Sequence, residues 1–130
     1  MKGGRPVVKL SDSEWRVMTA LWDRPQTITE LTATLAESTG WSKHTILTFL
    51  RRMEEKGAVR YEQGPRAKRY YPCVDRQDAQ VEEATEFLDR CFSGRIGLMV
   101  NTMLGREKLS REEIDELYDI LRQAEVVKDD

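Results

Sequence analysis

Histidine occurs once in these 130 residues, at His44, and cysteine twice, at Cys73 and Cys91. So sparse a stock of ring nitrogens and thiols, widely spaced, gives no metal-ligand pattern, and no metal or cofactor is expected. A lone histidine with no nucleophile or carboxylate placed beside it by spacing gives no catalytic set either. No phosphate loop is present, so an enzyme is not expected. Long apolar runs are also lacking: none approaches the roughly 20 residues that cross a bilayer, which excludes a helical membrane span. The opening MKGGRPVVKL has neither the apolar core nor the small-residue cleavage site of a secretory signal. From this we expect a cytoplasmic protein whose two cysteines are free thiols, buried and inert rather than redox-active.

What is present is the composition of a folded chain, 39% hydrophobic and 34% charged. The net charge of −2 conceals an asymmetry. Residues 1–74 carry 13 basic and 8 acidic side chains, whereas residues 75–130 carry 8 and 15. Within the first part, residues 43–69 alone hold 8 basic and 3 acidic groups. A protein meets a polyanion through one face, so this local excess matters more than the total.

The pattern of elements follows from caps and periodicity. Residues 1–9 form a basic arm. Ser11 and Glu14 make a capping box, and Trp15, Met18, Leu21 and Trp22 line one face of a first helix that Asp23-Arg24-Pro25 stops. Gln26-Thr27-Ile28 is β-prone, and Thr29 is expected to cap a second helix with Leu31, Leu35 and Ala36 inward. Gly40 supplies the left-handed turn after it. Ser42 caps a third helix in which Ile46, Phe49, Leu50 and Met53 share the buried face, while His44, Thr48, Arg51 and Glu55 lie opposite, flanked by Thr45 and Arg52. Gly57 ends it. Strands are expected at Ala58–Glu62 and Arg69–Pro72 around a Gln63-Gly64-Pro65-Arg66 turn. Beyond Pro72, Asp75 caps a long helix with Val81, Ala84, Leu88 and Cys91 inward. A short apolar helix covers Ile96–Leu104, and Ser110 with Glu113 starts a last helix striped by Ile114, Leu117, Tyr118 and Leu121. The acidic run from Glu112 to Glu116 complements that helix's N-terminal dipole.

This order predicts a mainly α chain. A winged helix-turn-helix of three helices plus a small β-hairpin wing occupies residues 1–74, and a three-helix dimerisation region occupies residues 75–130. The third helix offers Lys43, His44, Thr45 and Thr48 to base edges and Arg51 and Arg52 to phosphates. The hairpin adds Arg66, Lys68 and Arg69, beside Arg60, as cations for the backbone next to the groove. Taken alone, such a helix is as often a plain solvated surface, and such a hairpin a charged one; their order together favours double-stranded DNA as partner. The tail's apolar stripes, with Leu88, Met99, Val100, Met103, Ile114, Leu117, Tyr118 and Leu121, are expected to pair two copies as a homodimer, the other reading of the tail being that it packs back on its own winged helix. The alternative is a winged-helix adaptor that docks a protein and binds no specific DNA.

Leu10-Ser11 with Glu14-Trp15-Val17-Met18 and Leu21-Trp22, Trp41-Ser42 with Thr45-Ile46 and Thr48, Lys56-Gly57, Tyr70-Tyr71-Pro72, and Leu109-Ser110 with Glu113-Ile114-Glu116-Leu117 together resemble the BlaI/MecI/CopY family of penicillinase-type repressors. The similarity runs over residues 8–123. It implies a winged-helix domain, a three-helix dimerisation domain, and repression from a palindromic operator. In one branch the resemblance implies a membrane sensor-protease and cleavage at an Asn-Phe bond. The equivalent here is Asn101-Thr102-Met103, which lacks that pair. The copper-responsive branch carries Cys-x-Cys motifs at its C-terminus, absent from the AEVVKDD that ends this chain. Leu47 stands where related sequences often have a basic residue, which predicts an altered operator preference.

Overall fold

A computed structural model describes residues 8–106 and 108–124 of the chain. The basic arm expected at residues 1–9 falls, as far as residue 7, outside them. The elements run α1 (Asp12–Asp23), β1 (Gln26–Thr27), α2 (Ile28–Thr39), α3 (Lys43–Glu55), β2 (Val59–Gln63), β3 (Lys68–Pro72), α4 (Arg76–Phe92), α5 (Ile96–Leu104) and α6 (Arg111–Gln123). Two compact units divide within α4, between Glu83 and Ala84.

The first unit is a winged helix. Its core takes Val17, Met18 and Leu21 from α1, Leu31 and Leu35 from α2, Ile46, Leu50 and Met53 from α3, and Val59 and Tyr70 from the strands. The strands form an antiparallel sheet in the order β1-β3-β2. The hairpin pairs Val59 with Pro72 through Gln63 with Lys68, and β1 adds two pairs, Gln26 with Tyr70 and Thr27 with Arg69. The turn spans 64–67, closed by the Gly64 N–H donating to Ala67 O at 2.9 Å.

Local chemistry explains the helix ends. Ser11 and Glu14 cap α1 reciprocally, and Ser110 and Glu113 do the same for α6, as expected. For α2 the cap is Thr27, not Thr29: its hydroxyl accepts from the Glu30 N–H while Glu30 accepts from the Thr27 N–H, leaving Thr29 as the second residue of the helix. Ala36 is exposed rather than inward, because Leu31 and Leu35 already fill the contact. Gly40 follows with φ +69°, the left-handed conformation that glycine adopts without a Cβ penalty. Asp75 accepts from the Asp78 N–H at 3.1 Å where α4 begins.

Two polar groups are enclosed in this core and both are satisfied. The Gln26 amide donates to Ala20 O at 2.9 Å and accepts from the Thr34 hydroxyl at 2.7 Å, joining α1 to α2. Glu14, 2% exposed, accepts from the Ser11 N–H at 2.9 Å and from Lys56 Nζ at 2.7 Å. Lys56 also donates to Lys9 O at 2.7 Å, so it ties the end of α3 to the start of α1.

The second unit, by itself, is three helical segments with no buried residue from Ala84 onward among those described. The expected inner face of α4 is not inward in this single chain: Val81 is 57% exposed, and Ala79 is the buried residue of that helix. Cys73 and Cys91 are free thiols, but both are exposed. Cys73 sits just past the last strand residue, and the side of α4 that carries Cys91 has nothing to cover it, so the general tendency of cysteine toward the interior is overridden.

The Glu14–Lys56 pair sets an acid limit on the first unit. Burial alone would raise the Glu14 carboxyl. The bonds from Lys56 and the Ser11 N–H, with the Lys56 charge, outweigh it and hold the group below its ordinary 4.5. The unfolded chain therefore takes up this proton more readily than the folded one. The pair's contribution is whole above pH 4.5 and is lost as pH falls through the lower folded value. Lys56→Met is expected to cost about 1–3 kcal/mol at neutral pH, since it strips a buried carboxylate of its half-exposed partner. The gap from wild type should narrow in acid; urea titrations at neutral pH and well below pH 4.5 check both statements.

Candidate nucleic-acid interface

α2, the turn at Gly40 and α3 build the helix-turn-helix. The turn is held at both ends. The Gly40 N–H donates to Ala36 O at 2.9 Å, and the Ser42 hydroxyl accepts from the Thr45 N–H at 3.2 Å. Trp41 packs edge-to-face on Phe49, centroids 4.9 Å apart, which fixes where α3 starts relative to its own second turn. With Ile46, Leu50 and Met53 at 1% exposure or less, the opposite face of α3 must point outward.

That outward face carries the residues expected there. Lys43, His44, Arg51 and Arg52 are exposed, and Thr45, Leu47 and Thr48 are half-buried. The Ser42 hydroxyl donates to Thr45 Oγ1 at 3.1 Å, and the Thr48 hydroxyl donates to His44 O at 3.1 Å. Both threonines therefore present a methyl group and a spare acceptor. Among the described residues no carboxylate lies within ion-pair distance of Lys43, Arg51 or Arg52. Their charge is directed at solvent, as a surface awaiting a polyanion requires.

The wing is less uniform than its composition suggests. Arg66 lies in the turn, exposed, with no acid partner among the described residues. Lys68 Nζ sits 4.1 Å from the centroid of the Tyr61 ring, and Tyr61 in turn leans on Tyr70 at 6.0 Å. Stacking holds the ammonium in place while leaving its charge intact. Arg60 stacks on Tyr71 at 4.4 Å and donates to Glu62 at 2.8 Å. That bond raises Arg60 above its ordinary value and lowers Glu62 below its own, so this cation is already partnered. Arg69 turns toward the body, where Nη1 donates to Glu30 Oε1 at 3.2 Å and to Pro25 O at 3.3 Å. Glu30 is held below its ordinary value by the Thr27 N–H first, then by the charges of Arg69 and Arg24.

Sequence reasoning thus grouped cations that the fold separates. Arg66 and Lys68 are exposed, as the basic residues of α3 are, whereas Arg69 is engaged with α2. The tyrosines that carry Lys68 and Arg60 were missed. Their signal was cross-strand spacing, since Arg60 opposes Tyr71 and Tyr61 opposes Tyr70 in the hairpin register. The residues expected at a dimer contact lie in the second unit and are uncovered: Val100, Met103, Leu117, Tyr118 and Leu121 are exposed, and Leu88, Met99 and Ile114 half-buried. Phe87, Leu98 and Ile120 share that exposure and were not anticipated.

The penicillinase repressor family model matches residues 10–123. The penicillinase repressor of Bacillus licheniformis is 34% identical over 120 residues, covering 92% of this chain and 94% of that protein. The methicillin resistance regulatory protein MecI of Staphylococcus aureus (strain N315) is 26% identical over 116 residues, covering 88% and 94%. Two solved structures superpose on part of the chain. The DNA-binding domain of the repressor BlaI has a TM-score of 0.51 at 31% identity, covering 57% of this chain and 92% of that one. Monomeric Bacillus licheniformis BlaI in complex with the blaP half-operator has a TM-score of 0.50 at 31% identity, covering 56% and 90%. The match spans nearly the whole sequence, and the winged fold agrees with it: this chain belongs to the penicillinase repressor family.

Proposed function

We propose that the chain is a sequence-specific DNA-binding transcriptional repressor that acts in the cytoplasm as a homodimer on a palindromic operator. The observation that carries this reading is the outward face of α3, basic and unpaired, beside a hairpin tip bearing Arg66. The relative held on a half-operator supports it, since its DNA-binding fold is the one found here. Residues 1–74 supply the DNA contacts and residues 75–130 the pairing of copies.

The roles divide by chemistry. Lys43, His44, Thr45 and Thr48 occupy the N-terminal turns of α3 and meet base edges; Thr45 and Thr48 offer acceptors and methyls that distinguish bases in the major groove. Half-buried Leu47, on the flank of the same face, adds an apolar contact suited to a thymine methyl. Arg51, Arg52, Arg66 and Lys68 meet phosphates, which orient the protein and carry no sequence information. Pairing through the tail is supported by its lack of an interior. A stripe of exposed Val100, Met103, Leu117 and Leu121 finds cover in a second copy, and a two-fold axis suits a dyad operator. The resemblance further implies a sensor-protease, and the Asn101–Met103 segment it concerns is exposed within α5.

Arg51→Ala and Arg66→Ala are each expected to weaken binding to all duplexes and to reduce the slope of log K against log salt by about 0.9 per lost contact. Thr48→Ala is expected to leave that slope alone and change base preference by about 1–3 kcal/mol. Fluorescence anisotropy on palindromic and scrambled duplexes across a salt series separates the two behaviours. Equal affinity of the wild type for both duplexes refutes the repressor reading.

Leu117→Glu tests the other half. Placing a charge where an apolar side chain is to be covered forfeits about 1.5–3 kcal/mol per copy, and sedimentation equilibrium is expected to show the dimer shifted toward monomer. A variant that sediments as the wild type does removes α6 from the contact.

A further inference from the structure

Arg69 and Arg66 belong to one hairpin, yet they behave differently. Arg66 is in the turn with its charge open, whereas Arg69 reaches back into the helical body. Its Nη1 donates to Glu30 Oε1 and to Pro25 O. The same Glu30 oxygen accepts from the Thr27 N–H at 2.9 Å, and Thr27 is the register partner of Arg69 across β1 and β3. One carboxylate oxygen therefore holds both the first turn of α2 and the wing strand.

The need for such a tie follows from the sheet. Five residue pairs make the β2–β3 hairpin stiff along its own length, but only two join it to β1. Val59 and Tyr70, 2% and 5% exposed, root the base of the hairpin in the core. From Arg69 outward to the turn the hairpin has no buried residue and a single ladder pair to β1, so that part can still swing about its root. Arg69 is the next residue, and successive side chains leave a strand on opposite faces. Tyr70 and Arg69 together grip β3 from both sides.

The geometry points to Arg69 as a positioning residue. Through Glu30 it sets the angle at which the wing leaves the helix-turn-helix, and it makes no phosphate contact of its own. This inference rests on the proposed DNA-binding reading and departs from a simple grouping of Arg69 with the DNA-contacting cations. Both partners are about two-fifths exposed, so the pair adds little to stability. Its substitution should leave the fold standing and move only the wing.

The two roles predict opposite signs. If Arg69 met phosphate, Glu30 would compete for it, and Glu30→Gln would strengthen binding; glutamine at this position keeps the capping box of α2. As a positioning pair, Glu30→Gln and Arg69→Ala each weaken binding. The test uses the full chain and a palindromic duplex that the wild type selects from a random pool. Arg69→Ala and Glu30→Gln are each expected to lower affinity about threefold to tenfold with an unchanged salt slope, and the double variant to be no weaker than either alone. Arg69→Lys is expected to fall with Arg69→Ala, because both bonds come from Nη1 at the far end of a rigid planar guanidinium, a reach and geometry that the shorter, flexible lysine does not reproduce, whereas it would replace a phosphate contact. In the free protein, amide exchange along β1 and β3 should be several-fold faster in Arg69→Ala. A salt slope reduced by about 0.9 in Arg69→Ala, with tighter binding by Glu30→Gln, overturns the proposal. Unchanged affinity and exchange in both variants overturn it too. Should the wild type select no duplex, the repressor reading falls, and the exchange measurement still decides whether Arg69 holds the wing.

Discussion

The burial of Ile46, Leu50 and Met53 against α1 and α2 is the constraint on which the molecule turns. A helix offering uncompensated cations to solvent gains nothing from that face in the absence of its ligand. Its position is set by the face it hides. Three buried side chains fix its rotation about its own axis, because a slip of one residue would drive a charged side chain inward. The ends are then pinned by different means. Ser42 and the Trp41–Phe49 contact hold the N-terminus, and Lys56, reaching Glu14 and Lys9 O, holds the C-terminus.

The same economy governs the hairpin. Its residues fall into those that bind the protein to itself and those left over. Arg60 is met by Glu62 and Arg69 by Glu30, while Lys68 is held by an aromatic face that leaves its charge unspent. A cation fixed by a ring is ordered in advance of binding, so less side-chain freedom is lost when a partner arrives. The sum of positive charge in residues 43–69 therefore overstates the charge on offer. The structure sorts it by partner, which composition cannot do.

What was legible in the sequence was local. Capping boxes at Ser11 and Ser110 are four-residue signals, and the apolar stripe of α3 repeats within two turns. The cap of α2 was written in the same code, Thr27 with Glu30, but the neighbouring threonine at position 29 drew the assignment away from it. The ties that place α3 and the wing were illegible for a physical reason. Lys56 lies 42 residues from Glu14, and Arg69 lies 39 from Glu30. No periodicity links such partners; only the packing of three helices and a sheet brings them together. The exposure of Cys73 and Cys91 was missed because a residue's average preference was applied where the fold supplies no cover.

All three tryptophans, Trp15, Trp22 and Trp41, lie in the first unit, and from Ala84 onward the ring chromophores are Phe87, Phe92 and Tyr118. Trp22 donates its indole N–H to Val74 O at 2.8 Å, where the chain leaves the wing, and Trp41 abuts the start of α3. Emission excited at the red edge of the indole band therefore comes from the winged half alone and is blind to the tail. Far-ultraviolet dichroism sees every helix in the chain. Recorded together on one sample, the two signals separate the melting of the halves without a label or a truncation.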